Sequence, residues 1–329
     1  MDTLIEGINN ININNGLSID NINNGLSIDN INNGLSIDNI NVFTVVSERS
    51  RNDSSNKLRE KIIEMIGNRG INNEWFQNDL WKTLRDEIHR FESINSPTIY
   101  ERVKWIKKGG RGYSRDFDLE YYNNNEKIKT RKIEFKYNVN TLSDCPQWAS
   151  PMKPSQYLIC DKSYEEYFYD NYLIQLCERF GREMPNKEEY LKQIHCDESR
   201  CISDMQEKYY KGSSGSSRCS GLDEDLQFCK FCKQISKESI NNYFELCELN
   251  HDILNKYLLK KQKGKEYMLY KDGKIYHEVY TSDDYTINPD KTIKKSPYFK
   301  CETVSGKKMN ILFRWKNGNG IAFPAFQIK

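Results

Sequence analysis

The chain has 329 residues, of which 37% are hydrophobic and 29% charged, and its net charge is only +2. This length suffices for one large domain or two modest ones. No apolar run approaches the roughly 20 residues of a spanning helix, and the N-terminus lacks the pattern of a secretory signal. With ten cysteines and no export signal, we expect a soluble intracellular protein with reduced thiols and no membrane partner.

The N-terminal region is a perfect tandem repeat. Ile-Asn-Asn-Gly-Leu-Ser-Ile-Asp-Asn occurs at 13–21, 22–30 and 31–39. A nine-residue period can indicate a β-solenoid, but three short turns without a cap bury little core, and the calcium-binding pattern is missing. Asn-rich repetitive sequence is more often disordered. We therefore predict a disordered appendage over 1–41, whose deletion leaves the fold intact, and a charged linker over 42–54.

Two helices and a pair of strands are predicted next. Apolar residues recur at helical spacing in two stretches that end near Gly67 and Phe91. Two later stretches alternate with a period of two, which puts apolar and charged residues on opposite faces of a sheet. The alternating sets are Phe117, Leu119 and Tyr121 with Asp116, Asp118 and Glu120, and then Ile133, Phe135 and Tyr137 with Glu134 and Lys136.

The polar segment 123–126 between these strands suits a turn. If the strands pair antiparallel about it, we expect Asp118 and Glu134 to lie side by side, with Lys136 one pleat along. Two carboxylates and a lysine so placed form a divalent-metal site with an adjacent cation. The plainer alternative is a solvated sheet face, because Glu-x-Lys is a very common tripeptide.

This pattern resembles the PD-(D/E)XK nuclease superfamily, whose core has an Asp followed by a strand that carries Glu-x-Lys. Here the pattern is Asp118, 15 intervening residues and Glu134-Phe135-Lys136. No proline precedes Asp118 or Asp116, so the choice between the two aspartates stays open, with Asp118 preferred.

Three further runs resemble restriction-endonuclease-like proteins of large DNA viruses. They are Pro146-Gln147-Trp148, the run YEEYFYDNY from Tyr164 to Tyr172, and the tail from Phe313 to Gln327. The resemblance covers roughly residues 55–329. It implies an α/β (α+β) fold, with a restriction-endonuclease-like mixed sheet flanked by helices and an antiparallel β C-terminal extension. If the source is a virus, the location is the host cytoplasm, nucleus or virion.

The resemblance also implies a reaction, the metal-dependent hydrolysis of DNA phosphodiester bonds. Asp118 and Glu134 would bind Mg²⁺ or Mn²⁺, and Lys136 would orient the attacking water or stabilise charge on the phosphate. Gln147 would lie near the scissile phosphate, although it could equally cap a turn. An acid from the preceding helix sometimes joins such sites, which makes Glu60 and Glu64 candidates, with solvent exposure the favoured alternative.

Basic residues cluster in two places that suit a phosphate backbone. From Lys104 to Arg115 there are five basic residues and no acid, and from Lys291 to Lys316 there are eight basic residues and one acid. The alternative for each cluster is an ordinary solvated surface. The DNA-binding candidates are Lys107, Lys108, Arg111, Arg314 and Lys316. Because cutting both strands often needs two sites, a homodimer is left open.

Residues 181–235 are polar and rich in cysteine, and we predict an irregular loop there. Cys229-x-x-Cys232 has zinc-knuckle spacing, and Cys196-x4-Cys201 would supply two more thiolates for a structural Zn²⁺. The alternative is free, partly buried cysteines, because the two pairs lie far apart in sequence and no second C-x-x-C exists.

The last seventy residues change from helical to strand periodicity. Asp272-Gly273 and Ser305-Gly306 each separate alternating runs, which predicts two hairpins. The expected organisation is the appendage 1–41, the linker 42–54, a nuclease-like core at 55–180, a Cys-containing loop and helical insertion at 181–262, and an antiparallel β extension at 263–329.

Two functions of other classes compete with a nuclease. One is a non-catalytic nucleic-acid-binding or scaffold protein that keeps the fold, and the other is a zinc-stabilised interaction protein. For the nuclease, we expect Glu134→Gln to abolish cleavage. It should also leave the metal-free protein as stable or slightly more stable, because it removes repulsion between neighbouring carboxylates.

Overall fold

The structure, a computed structural model, describes residues 34–45, 52–109, 113–142, 154–179, 181–194, 223–315 and 324–328. The helices are α1 (Asn52–Gly67), α2 (Asp79–Ser93), α3 (Tyr164–Phe168), α4 (Ile174–Arg179), α5 (Lys187–Gln193), α6 (Asp223–Leu246) and α7 (His251–Gln262). The strands are β1 (Arg102–Lys107), β2 (Phe117–Asn123), β3 (Glu126–Tyr137), β4 (Leu158–Ile159), β5 (Glu248–Leu249), β6 (Lys265–Lys271), β7 (Lys274–Val279), β8 (Ile293–Lys295), β9 (Tyr298–Glu302), β10 (Lys308–Trp315) and β11 (Pro324–Ile328). Within these ranges, no helix has a stretch of apolar residues sufficient to cross a bilayer.

The two predicted N-terminal helices are confirmed, and their ends have clear local causes. Asn78 caps α2, because its side-chain oxygen accepts a hydrogen bond from the backbone N–H of Leu80 at 2.9 Å. Gly67 ends α1 against the ring of Trp105, and a Cβ at this position would overlap that ring. The absence of a side chain therefore lets α1 approach β1 closely.

A five-stranded mixed sheet has the order β1-β2-β3-β6-β7, and we call it the central sheet. Strands β1, β2 and β3 are antiparallel neighbours, β3 and β6 run parallel, and β6 and β7 form a hairpin. The predicted β2–β3 turn is present at Asn124 and Asn125, whose φ angles of 51° and 63° are left-handed. The predicted fold class, a mixed sheet with helices and an antiparallel C-terminal sheet, is therefore confirmed.

The predicted C-terminal extension at 263–329 is divided between two sheets. Both predicted hairpins are present, at Asp272-Gly273 and at Ser305-Gly306. The first hairpin, β6–β7, joins the central sheet through the parallel pairing of β6 with β3. Only β8 to β11 form the separate antiparallel sheet, with the order β11-β10-β9-β8. The extension thus begins near Ile293, because β6 completes the central sheet instead of adding to its outside.

The end of the repeat region is part of the folded domain, contrary to the prediction for 1–41. A 3₁₀ helix spans Ile37–Phe43, and Leu35, Ile40 and Phe43 are buried in the same core as α1 and α2. Trp81 Nε1 donates a hydrogen bond to the carbonyl of Ile37 at 2.8 Å. The last repeat copy therefore contributes apolar mass to the core, which the composition of the repeat alone does not indicate.

A second hydrophobic core lies between the helices α3 to α7 and the C-terminal sheet. Tyr164, Tyr243 and Phe244 from the helices pack against Phe299 and Phe313 of the sheet. Helix α6 begins at Asp223, so part of the stretch predicted as an irregular loop at 181–235 is helical. This core is separate from the one under the central sheet.

Candidate functional site

The central sheet has one apolar face and one charged face, as the period of two predicts. Phe117, Ile133 and Met268 lie on the face that packs against α1 and α2. Glu134 and Lys265 alternate with those residues and lie on the opposite face. Every candidate catalytic side chain that the structure describes on β2 and β3 is on this charged face.

The register of the β2–β3 hairpin determines which aspartate meets Glu134. Asp118 lies opposite Lys132, and Phe117 lies opposite Ile133. The ladder ends at that pair, and Asp116 is joined to β3 by hydrogen bonds that do not continue its register. Asp116 N donates to the carbonyl of Ile133 at 3.0 Å, and Asp116 Oδ2 accepts from Phe135 N at 2.8 Å. The prediction that Asp118 and Glu134 lie side by side is therefore corrected, and Asp116 is the aspartate whose pKa the charge of Glu134 raises.

Asp118 is instead held by two basic side chains. Its carboxylate forms a bidentate pair with Arg115, in which Arg115 Nη2 lies 2.8 Å from Asp118 Oδ2. Lys108 Nζ lies 3.6 Å from the same oxygen. Asp118 is only 6% exposed. This carboxylate is paired with Arg115 and Lys108 and lies opposite Lys132, so it is the weaker candidate for a cation ligand shared with Glu134.

Glu134 contacts two lysines on the charged face. Lys136 Nζ donates to Glu134 Oε1 at 2.6 Å, and Lys265 Nζ lies 3.3 Å from Glu134 Oε2. Burial alone would raise the pKa of Glu134, but the two ammonium groups outweigh it and hold this pKa below its ordinary value. Glu134 is therefore ionised at neutral pH.

Lys265 is a site residue that the sequence did not reveal. It lies at the start of β6, is only 5% exposed, and reaches Glu134 because β6 runs parallel beside β3. Burial lowers the pKa of its ammonium group, and the charge of Glu134 partly opposes that effect. No local motif marks Lys265, since its position depends on the pairing of two strands far apart in the chain.

Asp116 is a carboxyl whose pKa is raised strongly. Burial first, and the negative charge of Glu134 second, raise its pKa from 3.8 to about 7, although Lys136 and the Phe135 N–H oppose this. Glu60 of α1 adds a smaller repulsion. The oxygen Glu60 Oε2 is 3.1 Å from Lys107 Nζ, whereas Glu64 Oε1 accepts from Lys107 N at 2.9 Å. Glu60 thus belongs to the surroundings of Asp116, and Glu64 anchors β1.

The chemistry of this donor set fits a hard divalent cation. The carboxylate oxygens of Asp116 and Glu134 are of the type that Mg²⁺ and Mn²⁺ prefer, and a bound cation would reduce the repulsion between them. Among the described residues, no group of three or more His, Cys, Asp or Glu side chains is arranged to hold a metal. A cation here would therefore keep several water ligands, as Mg²⁺ commonly does.

The remaining predicted site residues are spread over the molecule. Lys107 and Lys108, at the end of β1, face the acids described above, whereas Arg314 lies on β10 in the C-terminal sheet. Arg314 is exposed and donates to Gln327 at 2.7 Å. Arg111, Gln147 and Lys316 lie outside the described residues.

The predicted zinc ligands are only partly described. Cys196 and Cys201 lie outside the described residues, as does the side chain of Cys229. Cys229 and Cys232 belong to one continuous helix, α6, instead of the predicted loop, and Cys232 is 1% exposed within the second core. The zinc site stays a prediction. Cys232, one of its four predicted ligands, is a buried residue of a helix and not of a loop.

Comparison with protein families, with curated proteins and with solved structures gave no match. The chemistry of the chain therefore rests on the arrangement of its own residues.

Proposed function

We propose that this chain is a metal-dependent endonuclease that hydrolyses DNA phosphodiester bonds at the charged face of the central sheet. The observation that carries the proposal is the acid pair Asp116 and Glu134, with Lys136 hydrogen-bonded to Glu134. The resemblance to PD-(D/E)XK nucleases supports it when the pattern is taken as Asp116 with Glu134-x-Lys136. Intracellular location, DNA as partner and a homodimer that would cut both strands belong to the same proposal.

Each residue has a distinct role in this proposal. Asp116 and Glu134 would hold Mg²⁺ or Mn²⁺. When bound, the cation supplies polarisation of the phosphate and a water of lowered pKa. Lys136 stabilises negative charge that develops on the phosphate oxygens. Lys265 is a positioning residue, because its ion pair fixes the carboxylate of Glu134 against β6.

The raised pKa of Asp116 couples metal binding to protons. Below about pH 7 this carboxyl is protonated in the metal-free protein, so a cation has to displace a proton in order to bind. Above that pH the two carboxylates repel each other until a cation arrives. Metal affinity, and with it cleavage, should therefore increase as the pH rises toward 8.

The basic residues near the site support a DNA partner. Lys107 and Lys108 form ion pairs with Glu60 and Asp118 next to the acid pair, and they belong to a segment without acidic residues. Arg314 is a more distant candidate for backbone contact, on the C-terminal sheet. Binding through such residues depends on salt, because phosphate neutralisation releases counterions.

A specific observation favours a second function. Glu134 already has two ion pairs, which is the charge compensation expected of a non-catalytic nucleic-acid-binding or scaffold protein. On that alternative the charged face is a stable sheet surface, and the protein binds DNA without cutting it.

Cleavage of supercoiled plasmid DNA with Mg²⁺ or Mn²⁺ tests the proposal. We expect Asp116→Asn and Glu134→Gln to lose at least about 100-fold in rate, since each removes a ligand and its charge. Asp118→Asn is the matched variant, and we expect it to stay within about tenfold of wild type. Circular dichroism checks that each variant is folded, and gel shifts in Ca²⁺ measure DNA binding separately. A wild-type protein that binds DNA but cuts none supports the binding protein instead. A Glu134→Gln variant that cuts at the wild-type rate contradicts the assignment of the catalytic acids.

A further inference from the structure

The short two-stranded sheet inside the second core brings two cysteines together. Strands β4 and β5 pair antiparallel, with Leu158 opposite Leu249 and Ile159 opposite Glu248. Extending this register by one residue beyond the ends of the two strands places Cys160 opposite Cys247. Residues directly opposite each other project to the same face of a sheet. The two thiols therefore lie on one face, although the residues are far apart in the sequence.

The type of pairing brings these two residues as close as a sheet allows. Asn250 N donates to the carbonyl of Tyr157 at 2.9 Å, so Tyr157 and Asn250 form a hydrogen-bonded pair. Pair types alternate along an antiparallel ladder, which makes Cys160 and Cys247 a non-hydrogen-bonded pair. Such pairs have Cα atoms about 4.5 Å apart, and disulfides form at Cα separations of about 4.4–6.8 Å.

The surroundings of the two thiols are consistent with this proximity. Cys247 is fully buried in the second core, whereas Cys160 is half-buried at its edge. Burial first, and the neighbouring Cys160 second, raise the pKa of the Cys247 thiol to about 12. Cys160 Sγ lies 3.6 Å from the carbonyl oxygen of Leu246, the residue that precedes Cys247.

We propose that Cys160 and Cys247 form a reversible disulfide, a redox modification site that is independent of the nuclease proposal. The oxidant is a low-molecular-weight disulfide such as oxidised glutathione. The thiolate of Cys160 attacks one sulfur of that disulfide, its S–S bond breaks, and one glutathione thiolate leaves. The thiolate of Cys247 then attacks Cys160 Sγ, and the second glutathione leaves. Two protein thiols are oxidised, one glutathione disulfide is reduced, and the two thiol protons pass to the leaving thiolates or to solvent.

The order of the two steps follows from the exposure of the thiols. Cys160 is the accessible thiol and reacts first, whereas Cys247 is shielded and acts as the resolving cysteine. Because the buried thiol ionises reluctantly, we expect disulfide formation to be slow at pH 7 and faster at pH 8.5. The bond would join β4 to the end of α6 and close a long loop, which constrains the unfolded chain and raises the melting temperature.

Oxidation of the full-length protein tests this inference. The protein is incubated with oxidised glutathione at pH 8.5, alkylated, digested without reduction and analysed by mass spectrometry. We expect a linked peptide pair that contains Cys160 and Cys247, its loss on treatment with dithiothreitol, and a rise of several degrees in melting temperature on oxidation. Cys301→Ser is the matched control, because Cys301 is buried opposite Met309, and it should keep the link.

Cys160→Ser should abolish both the link and the rise in melting temperature, and circular dichroism shows whether this variant keeps its fold. Glutathione attached to Cys160 without a protein disulfide would overturn the inference. So would wild-type protein in which neither cysteine is oxidised, or in which Cys160 and Cys247 are each linked to other cysteines.

Discussion

The two faces of the central sheet carry two charged clusters with opposite electrostatics, although both are built on β3 and β6. On the helix-facing side, Arg131 forms a bidentate pair with Glu266, and His277 Nε2 lies 2.7 Å from the same carboxylate. Burial alone would raise the pKa of Glu266, but hydrogen bonds from His277 and Arg131 lower it to about 2. On the other side, Asp116 lies beside Glu134 and has a pKa raised to about 7.

This difference distinguishes a structural cluster from a candidate active site. Lys265 and Glu266 are neighbours in β6 and project to opposite faces, so each cluster receives one charge from the same strand. Arg131 donates hydrogen bonds to the Glu266 carboxylate, the Phe91 carbonyl and the Tyr121 hydroxyl, and such pairing is what a buried polar network requires. On the other face, Asp116 and Glu134 repel each other when both are ionised. This repulsion lowers the stability of the fold and is typical of functional sites.

Arg131→Met should have the largest effect on stability. It leaves the Glu266 carboxylate with less compensation inside the core and removes the hydrogen bond to the Tyr121 hydroxyl. We expect the free energy of unfolding to fall by about 3–5 kcal/mol, measured by urea denaturation. Lys129→Met, at an exposed position of the same strand, is the control and should change it by less than about 0.5 kcal/mol. A loss below about 1 kcal/mol for Arg131→Met would show that the helix-facing cluster contributes little to the stability of the protein.

Phe43→Ala tests whether the segment Ile37–Phe43, at the end of the repeat region, packs on the helix-facing side of the central sheet. Phe43 is 6% exposed, and its ring contacts the rings of Tyr137 and Tyr270 on β3 and β6. We expect a loss of about 2–4 kcal/mol from the cavity, seen as a lower melting temperature. Val45→Ala, at a residue that is 58% exposed, is the control. Equal, small effects of both variants would mean that the segment is not anchored to the core.

Glu134→Gln should destabilise the metal-free protein, which reverses the expectation from sequence. The substitution leaves the buried ammonium of Lys265 without its carboxylate partner, and this loss exceeds the relief of repulsion with Asp116. We expect a loss of about 1–3 kcal/mol at pH 8 by urea denaturation. Glu126→Gln, at an exposed position on the same strand, controls for the change of residue type. Unchanged or increased stability would restore the original expectation.

Asp116→Asn should have a smaller and opposite effect that depends on pH. Because the folded-state pKa of about 7 exceeds the ordinary value of 3.8, the folded protein holds a proton that the unfolded chain releases. Ionisation therefore costs stability progressively as the pH rises from about 4 to about 7. Removing the carboxyl should add about 1 kcal/mol at pH 8, allowing for solvent screening, and almost nothing at pH 4.

Asp118→Asn is the counterpart of that variant, because it removes an attractive pair with Arg115 instead of a repulsive one. It should lower stability at pH 8. The same sign for both variants would contradict the distinction between the two aspartates.

Local patterns predicted the faces of the sheet but not the register across it. The alternation along β2 and β3 placed the charged residues on one side, and the asparagine-rich segment placed the turn. A hairpin that turns at Asn124 and Asn125 puts Glu134 opposite position 115. The irregularity between Tyr121 and Tyr122 shifts the pairing by one residue, so that the ladder ends with Phe117 opposite Ile133 and Asp116 follows at its end. A bulge of this kind leaves no clear mark in the sequence.

Long-range pairing explains the other differences. Lys265 reaches Glu134 only because β6 pairs with β3 across the whole helical region, and hairpin signals around β6 specify its neighbour β7 alone. Leu35 and Ile40 look like any other residues of an Asn-rich repeat, and their burial depends on the shape of the surface between α1, α2 and the sheet. Periodicity describes an element's own faces and says nothing of which distant element covers them.

The titration of the Asp116 carboxyl tests the proposed site most directly. Carbon-13 labelling of aspartate carboxyls allows this group to be followed by NMR, and the Asp116→Asn variant assigns its signal. We expect a pKa of about 7 without divalent cations and a marked decrease with saturating Mg²⁺, since the cation favours the carboxylate. A pKa near the ordinary 3.8 without cations, or a pKa that Mg²⁺ does not change, would contradict the assignment of Asp116 and Glu134 as a cation-binding acid pair.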